Sequence, residues 1–285
     1  MGLFSKETCC FCGEKAGFLS RKKIKDKNYI CKECEKNCSA YIEVSNFDKG
    51  FLEQHMEYMK KQDILYKKEV ETLDKKSVER IVSCFNGITF IDSIGMLEII
   101  SPKYNKKKVK ELFRYDQILD FDYYTVPNNS SEGKKYAESG IEIVFRCPID
   151  ENGFTNNNNE GGNNHPYVSK VRIPFEKDTD DATCNSLAKE HLNKLFGRKS
   201  ENVAGSIKES IFGTGQKRAT VKAEIDSIKA LGKLAKGAIT KDGEAMQEAK
   251  DQMKDATVDM LNATFNYGAR YTDIADEAEK RAWDK

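Results

Sequence analysis

Apolar residues from Asp48 onward recur at three- and four-residue intervals. Phe51, Leu52, His55, Tyr58, Met59, Ile64, Leu65, Tyr66, Val70 and Leu73 mostly keep this period, with Lys and Glu between them. It is the period of an amphipathic helix. No Pro interrupts residues 48–73, Gly50 is the only Gly, and Asp48 stands where a first turn needs a cap. The pattern predicts a linker helix within residues 46–77. On its apolar face His55 reads as a packed core histidine rather than a ligand.

From Ser77 the pattern turns to alternation rich in β-branched residues, "VERIVSCFNGITFIDSIGMLEIIS", in which Asn86-Gly87 reads as a tight turn. "ELFRYDQILDFDYYTV" supplies one or two more strands, and "SGIEIVFRCPI" and "PYVSKVRIPF" two others. Residues 180–197 return to a helical stripe at Leu187, Leu192, Leu195 and Phe196, with an acidic start and Gly197 as C-cap. Antiparallel strands followed by one amphipathic helix is the order of a pleckstrin-homology-like (PH-like) domain over residues 78–198. There a helix plugs the open end of a curved sheet; a different small α+β barrel is the alternative. Within this region "DENGFTNNNNEGGNNH" has no core-forming residue except Phe154 and predicts a mobile hairpin tip. Asp150, Glu151 and Glu160 lack the regular ligand positions of a calcium loop. His165 has no evident partner.

Residues 199–285 are rich in Ala, Lys, Gly, Asp and Glu and contain no Pro. Val221, Ile225, Ile228, Leu231, Ala235 and Ile239 share one broad face of an amphipathic helix that packs on its neighbour or, as the alternative, lies on an anionic membrane. Met246, Met253, Met260 and Tyr267 repeat every seven residues, with Ala249, Ala256 and Ala263 at a second seam position. The tail therefore predicts a helical hairpin or bundle ending in "TDIADEAEKRAW". It leaves open docking on the PH-like domain or homo-oligomerisation. "GTGQKRA" is not a phosphate loop, because Gln216 stands where Lys is required.

Composition narrows the function classes. The 285 residues carry a net charge of +1, with 33% charged and 39% hydrophobic residues. Any attraction to nucleic acid or membrane must then be local. No apolar run reaches the ~20 residues that span a bilayer, and "MGLFSKE" lacks both a signal-peptide core and the myristoylation pattern. The expectation is a cytoplasmic protein, with peripheral membrane contact open. The Lys, Asn and Ile content suits an AT-rich bacterial or phage gene.

In a reducing compartment nine cysteines, an odd number, argue against a disulfide framework. Cys9-x2-Cys12 and Cys31-x2-Cys34 are separated by 18 residues, within the spacing of a four-cysteine zinc site. Two residues between thiolates let one tight turn present both sulfurs to one ion, and Gly13 suits the turn after Cys12. Four thiolates close a tetrahedral Zn²⁺, so the expected cofactor is one structural zinc on Cys9, Cys12, Cys31 and Cys34. Cys10 and Cys38 are spare, and Cys38 lies one helical turn beyond Cys34, where it is an alternative ligand.

The C-x2-C-G knuckle, "FLSRKKIKD", "YICKEC" and the start of a helix together resemble the small bacterial zinc-binding domain family DUF4428, over about residues 1–45. The resemblance implies a treble-clef-like or ribbon-like zinc fold and no assigned activity; Cys10 departs from the pattern. "LFRYDQILDFDYY" resembles the strand after the zinc module in DUF4428-containing proteins and in bacterial PH-like and GRAM-like groups.

Catalysis finds no constellation to rest on. His55, His165 and His191 fall in no nucleophile or metal motif, and no G-x-S-x-G, Rossmann fingerprint or H-E-x-x-H occurs. Two basic stretches remain. "RKKIKDK" on the zinc module can touch phosphates or serve as a solvated face. "SPKYNKKKVKELFR" holds Lys103, Lys106, Lys107, Lys108, Lys110 and Arg114 against the single acid Glu111, a candidate anionic-surface site. The sequence reading is a non-enzymatic α+β zinc-binding adaptor or scaffold, its PH-like domain binding a protein or an anionic membrane. The alternative is nucleic-acid binding through the basic zinc module.

Overall fold

The computed structural model describes residues 6–83, 85–127, 136–156, 163–176, 179–196 and 269–284. The Val221–Ile239 stripe, the Met/Ala seam, Gly197 and residues 157–162 of the Asn-rich tract lie outside these. The chain forms two compact units, Met1–Ala188 with Tyr271–Lys285, and Lys189–Arg270. The first is described below.

Its N-terminal module is two short hairpins and a helical turn. β1 (Glu7–Thr8) pairs with β2 (Lys15–Ala16), and β3 (Arg21–Lys23) with β4 (Tyr29–Cys31), both antiparallel. α1 (Lys32–Glu35) follows directly. Ile24, Ile30, Cys38, Val44, Phe47 and Leu52 form the module's apolar core, and Leu52 already belongs to the next helix. The module and that helix therefore share one interior.

That helix, α2 (Lys49–Glu69), starts where the sequence predicts, with Asp48 Oδ1 accepting from the Phe51 amide at 2.9 Å. Leu52, His55, Met59, Gln62 and Leu65 are buried along one face. It ends at Glu69 rather than Leu73. Val70 and Glu71 both donate to the Tyr66 carbonyl, and Asp74 opens a separate 3-10 turn, Lys75–Ser77.

Two antiparallel sheets follow. β5 (Glu79–Ser83), β6 (Asn86–Ile91), β7 (Met96–Ile100) and β8 (Phe113–Arg114) pair in chain order, as do β9 (Ile118–Pro127), β10 (Tyr136–Phe145) and β11 (Lys170–Glu176). Among the described residues they do not close into a barrel. Ser83 Oγ and Asn86 Nδ2 each bridge the sheets, donating to the Phe175 and Pro174 carbonyls at 3.0 Å. Asn86-Gly87 is therefore not the turn. Ser83 pairs with Asn86, so the chain has already reversed before Gly87. A Cβ on Gly87 would lie 2.9 Å from the Ile81 carbonyl oxygen, so close strand approach is what requires the glycine.

α3 (Thr179–Leu195) comes after β11, with Cys184 Sγ against the Val82 carbonyl at 3.1 Å. The last described helix, α4 (Ala269–Trp283), buries Tyr271, Ala275, Ala278 and Ala282. Its alanines pack with Leu65, Ile91, Ile94, Met96 and Leu112. Arg281 pairs with Glu69 at 2.8 Å, and Trp283 Nε1 donates to the Lys61 carbonyl at 3.0 Å. No described helix is long and apolar enough to cross a membrane.

The Asn-rich tract is corrected in part. Asp150 Oδ1 accepts from the amides of Asn152 and Phe154, a compact turn built by side-chain capping. Asn46 Nδ2 donates to the Glu151 carbonyl at 3.1 Å, so the turn docks on the zinc module. His165, at the tract's far end, is fully buried.

Candidate metal centre

The four predicted cysteines converge. The Sγ atoms of Cys9, Cys12, Cys31 and Cys34 all lie within 4.8 Å of one another. Each pair is set by local backbone chemistry. The Gly13 amide donates to the Cys9 carbonyl at 3.0 Å, and Gly13 takes φ +75°, closing the first turn. Cys31 ends β4 and caps α1, its Sγ accepting from the Cys34 amide at 3.4 Å, while Cys9 Sγ accepts from the Cys31 amide at 3.3 Å. These amides are the donors that thiolates need.

Burial pushes the Cys9 thiol up, but amides of Cys12, Cys31 and Phe11 outweigh it and hold the group at about 6. Burial and the neighbouring sulfurs push Cys34 strongly the other way. Four sulfurs this close cannot all ionise unless a cation joins them, and the all-thiolate donor set fits a single tetrahedral Zn²⁺. Cys10 and Cys38 are not in the cluster. Cys38 is completely buried against Ile24, Ile30, Val44, Phe47 and Leu52, and burial drives its thiol up to about 12. Cys10 is packed against the same cluster, and burial raises it as well.

The six cations of residues 101–114 divide. Lys107 Nζ donates to the Glu35 carbonyl at 2.9 Å, and Lys108 Nζ lies 3.0 Å from Glu33. The Lys108 amide donates to the Lys36 carbonyl at 2.9 Å. The loop thus docks on α1. Lys110 Nζ sits 4.2 Å over the Tyr104 ring. Arg114 is buried among Asp116, Asp276 and Glu279 at 2.6–2.8 Å, joining β8 to α4. Lys103 and Lys106 are exposed.

Where loop, zinc module and α2 meet lies a buried polar cluster that the sequence reading missed. Glu111 is fully buried, with Ser39 Oγ at 2.5 Å from Oε2. Its Oε1 has no hydrogen-bond partner among the described residues; His165 Nε2 stands 3.6 Å away. His165 Nδ1 accepts from the Val168 amide at 2.9 Å, which leaves the ring proton on Nε2, 3.2 Å from the Tyr58 hydroxyl. His55 Nε2 accepts from the Ser39 amide at 2.9 Å, leaving Nδ1 without a hydrogen-bond partner among the described residues. Burial holds both histidines down at about 3 and pushes Glu111 up to about 7. His165 therefore has partners after all. The sequence signals were His55 on the apolar helix face and Glu111, one acid in a lysine-rich loop.

No curated protein and no solved structure matches the chain. A family model described as a domain of unknown function (DUF4428) matches residues 7–62, taking in the four cysteines, α1 and most of α2. The chain is similar to that family over its N-terminal module, and the similarity continues into the helix that shares the module's core.

Proposed function

We propose that this chain is a non-catalytic cytoplasmic docking platform. One structural zinc holds its N-terminal module, and its two sheets with α3 are a PH-like domain that binds a protein partner. The four-sulfur cluster carries the reading. Cys9, Cys12, Cys31 and Cys34 would fill the coordination sphere of a tetrahedral ion and leave no position for a reacting water. Such an ion contributes folding free energy rather than chemistry. Four strands, three strands and a helix, in that order, support the PH-like part. Nucleic-acid binding through the basic module is disfavoured at Lys22, whose ammonium lies 2.9 Å from Glu35 and 3.3 Å from Glu43. Anionic-surface binding by the 101–114 loop would rest on Lys103 and Lys106, since Lys107 and Lys108 face α1.

Purified protein is expected to carry about one zinc per chain by elemental analysis. Cys31→Ser should release it and lower the unfolding midpoint while leaving the two sheets folded. A well-folded, metal-free N-terminal module would defeat the zinc part of the reading. Wild-type protein that cross-links to no host protein would defeat the platform part.

A further inference from the structure

The 3-10 turn that precedes β3 exposes apolar side chains near lysines that make no ion pair among the described residues. Phe18 and Leu19, in the 3-10 turn Phe18–Ser20 that leads into β3, are 59% and 94% exposed. Single exposed apolar residues are ordinary, but these are consecutive, and a cationic strand follows them. Lys22 turns toward Glu35 and Glu43, and Ile24 is buried, so both face the body of the module. Strand alternation then puts Arg21 and Lys23 on the opposite face, Arg21 half-buried across from Cys31 and Lys23 exposed across from Tyr29. Arg21 lies 4.8 Å over the Tyr29 ring on that face. Beyond the strand, Lys25 sits 5.8 Å from the ring of Phe154, which is 65% exposed. Asp26, the one acid among residues 18–27, is turned to the amides of Asn28 and Lys49.

We infer that this face of the zinc module, with Phe18 and Leu19 as an inserted tip and Lys23 and Lys25 as phosphate contacts, docks on an anionic lipid bilayer. Two side chains are far too little for the core of a stable protein interface, which buries ~800 Å² per partner. A bilayer needs only a shallow apolar wedge with cations at headgroup depth. Leu19, aliphatic and the most exposed of these residues, suits acyl chains better than the stacked bases of nucleic acid. The inference goes beyond the platform reading and rests on it only for the folded, zinc-loaded module.

The test is vesicle sedimentation of the full chain at low salt, after its zinc content has been measured. Phosphatidylglycerol-containing vesicles should pellet the protein and pure phosphatidylcholine vesicles should not. Phe18→Ser with Leu19→Ser should weaken partitioning by about tenfold or more, as should Lys23→Glu with Lys25→Glu. Both variants alter exposed side chains and should keep the wild-type zinc content and unfolding midpoint. Wild-type protein left in the supernatant overturns the proposal, as does equal pelleting of either variant. So does binding of a single-stranded oligonucleotide in preference to vesicles. Metal-free protein that still pellets through Phe18 and Leu19 supports the bilayer face and overturns only the zinc reading.

Discussion

Glu111 and its two histidine neighbours pull the stability profile in opposite directions. Glu111 is raised from 4.5 to about 7, so its contribution is present below pH 4.5 and is lost as pH rises to about 7. His55 and His165 are lowered from 6.5 to about 3, so theirs is present above pH 6.5 and is lost as pH falls toward 3. Between pH 4.5 and 6.5 two histidines oppose one carboxyl, and stability should fall on acidification by ~1.4 kcal/mol per pH unit. Glu111→Gln removes the carboxyl's share. The variant should match wild type near pH 4.5 and exceed it by up to ~3 kcal/mol at pH 8, since no buried charge then forms. Urea midpoints across pH check this, and a pH-independent gap would show that Glu111 is not neutral in the folded protein. Of this cluster the sequence showed His55 as a packed core residue, but not the grouping. Ser39, His55, Glu111 and His165 come from four separate stretches, and only the fold brings them together. The cysteines were legible because each C-x2-C turn fixes its own geometry before any tertiary contact forms.

Elements whose pattern is local were read well, and those decided by neighbours were not. Asp48 and the 52/55/59/62/65 face announce α2, because capping and periodicity act within one helix. The Asn86-Gly87 signal was real as chemistry but was used for close strand approach and for the Pro174 carbonyl. The polar stretch at Asp150 lacks core residues, yet its side chains cap amides and make a turn that burial arguments overlook. α4 depends on one such neighbour. Arg114 bonds Asp116 through both Nε and Nη2 and reaches Asp276 and Glu279 on the helix. Arg114→Met should strand the buried Asp116 carboxylate and cost ~3 kcal/mol or more. Amide exchange in residues 271–283 should accelerate with it. Slow exchange there together with a lowered midpoint would locate the damage in β8 alone.

At the scale of the whole molecule, a unit made of Met1–Ala188 and Tyr271–Lys285 encloses another in its sequence. The strand succession was legible, since alternation survives in the sequence; the return of α4 to α2 was left undecided, because an alanine stripe does not say which surface it will meet. That return makes the second unit an insertion with both ends tied to the first. A protease that cleaves once within residues 197–268 should therefore leave a nicked protein that still migrates as one species on native size exclusion and separates into two bands only in denaturant. Loss of the C-terminal fragment on the column would mean that α4 binds too weakly to act as a clasp. Synthesis meets the same geometry from the other side. A ribosome must release some seventy residues beyond α3 before α4 can cover Leu65, Ile94 and Met96. For that interval the nascent chain exposes this apolar seam, and a chaperone that recognises apolar segments would have its opportunity then.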